Sequence, residues 1–276
     1  ASCRARLTSS SFESVVTAEG ALVSSLSWSH TAAGTNRLGI VDACIKPETT
    51  TVSSGAWGTG NALTFVASAV MSDDNEMWRR IAPPASAQTV SLTFSPQAES
   101  VTGASRNYTG ADQTTPLGTA ATATGTSLTP SVTVTSAAGE LVIDTSGFDN
   151  DVLSTPGTGQ TERYDFGGSV SMRGSDEAGA ASVVMDHALG GTANDWQIVG
   201  VSIKPVAEAG GGPASDDDAF EDESVPPWIL RQRGALGAAL LAANPVTGRR
   251  GMLGASGAAL ADLLRKRRRG GAPRRR

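Results

Sequence analysis

The side chains best suited to proton transfer near neutral pH are the two histidines, His30 and His187. His30 follows Trp28-Ser29 and His187 follows Asp186, each within or at the end of an extended stretch. A Ser–His–Asp set can be assembled on paper from the many serines, but no Gly-x-Ser-x-Gly elbow marks a nucleophile. Both histidines are therefore expected to be hydrogen-bonded or solvent-facing rather than catalytic. Neither HExxH nor a Cys/His zinc spacing occurs, and no Gly-x-x-x-x-Gly-Lys-Ser/Thr loop is present to cradle a phosphate. Carboxylates abound, yet none are paired by motif as glycoside hydrolysis requires. The chain reads as a non-enzyme.

Metal chemistry narrows to one cation. Asp73-Asp74-Asn75-Glu76 and Asp149-Asn150-Asp151 cluster hard oxygen donors of the kind calcium takes. They lack the spacing of an EF-hand, and Asp/Asn clusters are also ordinary turn chemistry. No cofactor is expected, with structural calcium as the exception to test. Cys3 and Cys44 form no CxxC motif; a single bridge and two buried thiols both fit. Asn107-Tyr108-Thr109 matches a glycosylation sequon.

Charge is divided along the chain. Residues 1–206 carry 10 Lys and Arg against 19 Asp and Glu, a net charge of −9. Residues 228–276 carry 12 basic groups and one acid, Asp262, a net charge of +11. Between them lie a Gly- and Pro-containing linker and an acidic run at residues 216–223. A basic extension of this kind meets something negative: nucleic acid, an anionic membrane face or an acidic protein surface, including the acidic run of a neighbouring copy. The residues expected to anchor it are Trp228, Arg265, Lys266, Arg267, Arg268, Arg269, Arg274, Arg275 and Arg276. No aromatic residues interleave these cations, so stacking on single strands is not indicated. Two short helices are expected at residues 234–243 and 252–269, the second amphipathic and ending in positive charge, where cations suit the helix dipole.

The elements that would carry these residues are strands. Val90, Leu92 and Phe94 alternate with hydroxyl residues, as do Val132 and Val134. The turn at Ala137-Ala138-Gly139 then leads into Leu141-Val142-Ile143, which predicts a hairpin between residues 131–135 and 141–143. Residues 38–45, 62–70, 181–185 and 196–203 are likewise strand-like, the last continuous enough for a central strand, with Pro205 stopping it. Trp28, Trp57, Trp78 and Trp196 are expected in the core or at its rim. Crossover helices are missing, so the expected fold is all-β: an antiparallel β-sandwich of jelly-roll type with a C-terminal linker and a short helical basic arm. The expected organisation is a sandwich domain over 1–206, a linker over 207–227 and the arm over 228–276. Residues 1–6 precede no apolar segment, so no secretory leader is read, and no apolar run reaches the ~18–20 residues that span a bilayer.

Trp28-Ser29-His30-Thr31 with Asn36-Arg37-Leu38, then Asp112-Gln113-Thr114-Thr115-Pro116-Leu117, carry a resemblance, as do residues 130–135, 139–142 and the closing 196–205. Over roughly residues 20–206 the chain resembles a β-sandwich family found in hypothetical bacterial surface proteins and in tailed-phage structural proteins. The resemblance implies a scaffold and carries over no catalytic residue. The missing leader, the absent catalytic set and the separate charged extension lead to the expectation of a virion component, such as a head decoration, fibre or tail protein, homo-oligomeric and in contact with other virion proteins. The alternative is a secreted or cell-surface adhesion or carbohydrate-binding module, with a glycan on its exposed face.

Overall fold

The computed structural model describes residues 9–149 and 152–207, all within the first of the chain's two units, 1–211. Cys3, the linker beyond residue 207, Trp228, the two expected helices and every cation of the arm lie outside the described residues. The described part is all-β with antiparallel pairing throughout. Among the described residues no helix is long and apolar enough to cross a membrane.

Six strands come from the first half: β1 (Ser11–His30), β2 (Leu38–Lys46), β3 (Thr51–Trp57), β4 (Thr64–Val70), β5 (Asp74–Ile81) and β6 (Gln88–Thr109). They form one sheet in the order β1-β6-β2-β5-β4, with β3 also pairing to β6. The second half supplies β7 (Ala121–Ser127), β8 (Ser131–Thr135), β9 (Leu141–Asp149), β10 (Ser154–Pro156), β11 (Thr161–Phe166), β12 (Val170–Ala178), β13 (Ser182–Leu189) and β14 (Asn194–Ile203). These form a five-stranded sheet, β11-β12-β9-β14-β7, and a three-stranded one, β10-β13-β8.

The same topology is written twice. β1 and β6 are long, and their register shifts between Val23 and Ser25. Beyond the shift, residues 25–30 of β1 and 88–95 of β6 join β3 in a second layer, where Trp28 sits against Gly103 of the same sheet. In the second half the chain breaks at the matching places. β7 and β8 replace the two parts of β1, β13 and β14 replace the two parts of β6, and β10 replaces β3. The order β1-β6-β2-β5-β4 maps onto β7-β14-β9-β12-β11, and the layer β3-β6-β1 onto β10-β13-β8. Aligning β2 with β9 at Leu38 and Leu141 also superimposes a bulge. The shift between Phe65 and Ala67 of β4 opposite Trp78/Met77 corresponds to that between Glu162 and Tyr164 of β11 opposite Ser175/Gly174. A bulge re-aims a strand locally, so its recurrence at one pairing step marks the two halves as equivalent.

Apolar residues fill three kinds of space. Leu38, Ile40, Met77 and Tyr108 of the first sheet pack with Ile143, Val199, Val201 and Ile203 of the second. On the outer face of the first sheet, Val41, Ala43 and Ile45 are covered by Trp28, Trp57, Val90 and Leu92. On the outer face of the second, Val142, Phe148, Trp196 and Ile198 are covered by Val132, Val134, Val183 and Met185. β2 is thus buried on both sides, which is why residues 38–45 read as a nearly continuous apolar run. β14, a central strand between β9 and β7, behaves as its pattern predicts.

The predicted hairpin between residues 131–135 and 141–143 does not form. β8 pairs with β13, whereas β9 pairs with β12 and β14. Gly200 of β14 explains the arrangement: a Cβ there would meet Val134 Cγ2 at 2.6 Å and Val132 Cγ1 at 3.0 Å. The valine face of β8 lies on the backbone of the larger sheet, so the turn at residues 137–139 carries the chain from one layer to the next.

Candidate functional site

Strand alternation places polar residues of the central strands on buried faces, and they organise into three clusters. The first joins the two large sheets. Arg106 of β6 and Asp42 of β2, both fully buried, pair at 2.8 Å from Nη2 to Oδ2. Arg106 Nη1 donates to the Asp144 carbonyl at 2.9 Å, and Tyr164 Oη donates to Asp42 Oδ2 at 3.1 Å. Asn75 Nδ2 donates to the carbonyls of Thr145 and Gln197. Burial pushes the Asp42 carboxyl up to about 6, against the pull of Arg106 and Tyr164, so it is ionised at neutral pH. Arg106 itself is raised despite burial by Asp42. This is a charge-assisted rivet between the halves.

Each histidine sits in one of the halves, buried. His187 Nε2 donates to Asp144 Oδ2 at 2.7 Å, and Ser175 donates to Asp144 Oδ1 through both its backbone N–H and Oγ, each at 2.7 Å. Burial would raise the Asp144 carboxyl; His187 and the Ser175 donors outweigh it and hold the group below its ordinary value. Serine, histidine and aspartate have met, but the carboxylate lies between the other two. A nucleophile must hand its proton to the imidazole, and here the hydroxyl hands it to the acid.

In the other half, Trp28 Nε1 donates to Ser105 Oγ at 2.7 Å, and Ser105 Oγ donates to His30 Nδ1 at 2.6 Å. His30 Nε2 then donates to Ser14 Oγ at 2.9 Å, and Ser14 donates to Glu13, which also accepts from Asn107 Nδ2 at 2.9 Å. His30 stacks on Trp57 with ring centroids 4.8 Å apart. With Ser105 donating to Nδ1, the neutral imidazole carries its hydrogen on Nε2 and points it at Ser14, whose own hydrogen goes to Glu13. Burial lowers the His30 pKa, with Glu13 opposing. Both histidines are hydrogen-bonded, as their sequence contexts suggested.

The third cluster is acidic, and sequence reading missed its pairing. Asp74 and Glu76 stand two apart on β5, point to the same face and are both buried. Glu76 Oε1 accepts from the Val52 N–H at 2.9 Å and Oε2 from Trp78 Nε1 at 2.6 Å. Burial, with Glu76 adding to it, raises Asp74 to about 8, and burial raises Glu76 too. The signal was legible as Asp-x-Glu inside a strand, where period two makes both acids neighbours.

Of the expected calcium ligands, Asp73 and Asp74 are buried, and Asp73 lies within electrostatic reach of Asp149. Asn75 faces the second sheet, Glu76 is taken by Val52 and Trp78, and Asp149 pairs with Lys46 at 3.0 Å. Asn150 and Asp151 lie outside the described residues. Among the described residues no three His, Cys, Asp or Glu side chains gather to hold a metal. Cys44 carries a free, buried thiol, which burial raises well above its usual range. Asn107 is buried with its amide donating to Glu13 and Ala33, so the sequon is not offered to solvent.

No protein family, curated protein or solved structure matches this chain. Function must be argued from the residues themselves. Two shallow hollows, about 600 Å³ beside Leu153 and Gly191 and about 250 Å³ beside Gly58 and Gln88, contain none of the three clusters.

Proposed function

We propose that this chain is a non-catalytic structural protein, a phage virion component of the head-decoration, fibre or tail type. It displays a β-sandwich and is anchored through its basic C-terminal arm. The observation that carries the reading is the opposition of charge between the −9 of residues 1–206 and the +11 of residues 228–276. Opposite charge on two parts of one chain favours ordered contacts between copies or with a negatively charged partner, and holds the parts apart in role.

The polar clusters support the same reading from the other side. Arg106, Tyr164 and Asn75 fasten the two large sheets to each other, and neither histidine is arranged to activate a serine. The facing of the two large sheets supports a sandwich. Because β1–β6 build one large sheet and β7, β9, β11, β12 and β14 the other, we read it as two tandem halves rather than a roll whose strands alternate between sheets.

The test is fractionation of particles from cells that express the full chain or a truncation ending at residue 207. The full chain is expected to co-sediment with assembled particles, and the truncation to remain in the soluble fraction. Reversing Arg265, Lys266, Arg267, Arg268 and Arg269 to Glu is expected to abolish co-sedimentation too. Undiminished incorporation of the truncation would overturn the anchoring role, and retention on the cell envelope would favour an adhesion module.

A further inference from the structure

The two large sheets end in four edge strands, and charge divides these by side. β1 and β11 lie along one side of the sandwich; β4 lies along the other, against β7 and β14. An open edge presents unpaired N–H and C=O groups that accept any strand able to reach them, and natural sheets guard it with charged side chains or proline. The first side is guarded: β1 carries Glu13 and Glu19, and β11 carries Glu162, Arg163 and Asp165. The second is bare. Residues 51–72 and 113–139 contain no Asp, Glu, Lys or Arg, and neither β4 nor β7 contains proline.

β4 offers more than an open ladder. Among the described residues it pairs with β5 alone. Past the bulge at Phe65/Ala67, residues 67–70 run in unbroken register with Met77, Glu76, Asn75 and Asp74. Ala67 and Ala69 pack toward the second sheet. On the outer face Phe65 is 49% exposed, its ring edge-on to Trp78 with centroids 5.1 Å apart, and Val70 is 48% exposed. The neighbouring uncharged strand β3 differs, because residues 61–63 turn back along it. There the Trp57 N–H donates to the Asn61 carbonyl and the Leu63 N–H to the Gly55 carbonyl, each at 2.9 Å.

We infer that β4 is the seat of a twofold dimer, pairing antiparallel with β4 of a second copy so that the first sheet continues across both. Three observations select that occupant. The edge offers no carboxylate to a basic segment and no cation to an acidic one, so its partner is a neutral strand. A second copy carries the same −9 over residues 1–206, and two such bodies meet with least repulsion where each presents an uncharged side. A strand set against itself about a twofold axis is self-complementary, so the exposed Phe65 and Val70 of both copies are covered in one step. The inference goes beyond the anchoring role of the arm and does not rest on it.

The test is analytical ultracentrifugation of the intact chain in about 0.5 M NaCl, where screening shortens the reach of exposed charges to about 4 Å and weakens any contact made by the arm. A dimer is expected. Val70→Lys, which sets like charges close together across the twofold, is expected to sediment as a monomer. Val184→Lys, at a position of β13 that is 51% exposed, is expected to leave the dimer intact. A wild-type monomer, a dimer seen only at low salt, a dimer of Val70→Lys or loss of the dimer in Val184→Lys each overturns the inference. Should Val70→Lys fail to fold, hydrogen exchange in the unaltered chain decides. The outward amides of residues 67–70 are expected to lose protection on dilution while those of β2 keep theirs, and protection independent of concentration defeats the inference.

Discussion

Arg106 and Asp42 set the balance of forces at the scale of single residues. A guanidinium and a carboxylate with no exposed surface each give up hydration, and their attraction repays it only while both are present. Replacing Asp42 by Ala strands a buried cation, and we expect a loss of roughly 3–5 kcal/mol in urea unfolding. The double replacement D42L/R106M should recover most of that loss, because an apolar pair of similar volume has no charge to desolvate. His30 gives a pH-dependent counterpart. Its folded pKa is lowered, so the folded state takes up that proton less readily than the unfolded chain. The stability it contributes is present above the unfolded value of about 6.5 and drains away as pH falls through the folded one. The change in melting temperature between pH 7 and pH 5 is thus expected to be less unfavourable in His30→Gln than in the wild type. None of these pairings was legible in advance. A charged residue in a strand reads as solvent-facing unless its partner is known, and Asp42 and Arg106 are 64 positions apart in sequence.

The strands themselves were more legible than their partners. Continuous apolar character announced β2 and β14, and alternation announced β8, since both patterns depend only on which faces are covered. Pairing depends on what lies across the face, and there the hairpin expectation failed. Val132 and Val134 seek an apolar surface, and the backbone at Gly200 offers a closer one than residues 141–143 do. Filling that space tests the explanation. Gly200→Val is expected to lift β8 from β14 at a cost of about 1–3 kcal/mol, visible as a lower urea midpoint and faster exchange of the β8 amides. β1 went unread because residues 11–30 are rich in Ser, and small polar residues give little contrast between faces.

The repeated half is a property of the whole molecule that no residue pattern revealed. β2 and β9 occupy the same place, yet Val41-Asp42-Ala43-Cys44 stands where Asp144-Thr145-Ser146-Gly147 does, so the likeness resides in topology and in one shared bulge. Since Ile40, Tyr108, Ile143 and Val201 pack in one cluster, neither half should melt alone. Ile143→Ala is expected to cost about 2–5 kcal/mol while leaving one transition, coincident by circular dichroism and tryptophan fluorescence. Both ends of the described body meet where one half passes to the next. The Val206 N–H donates to the Gly110 carbonyl at 2.8 Å, and the Ser10 hydroxyl reaches the same oxygen. Entry, crossing and exit share a single doorway, so the order of the halves is a matter of wiring. A permuted gene that starts just after residue 114 and splices residue 207 back to residue 9 should yield the same architecture.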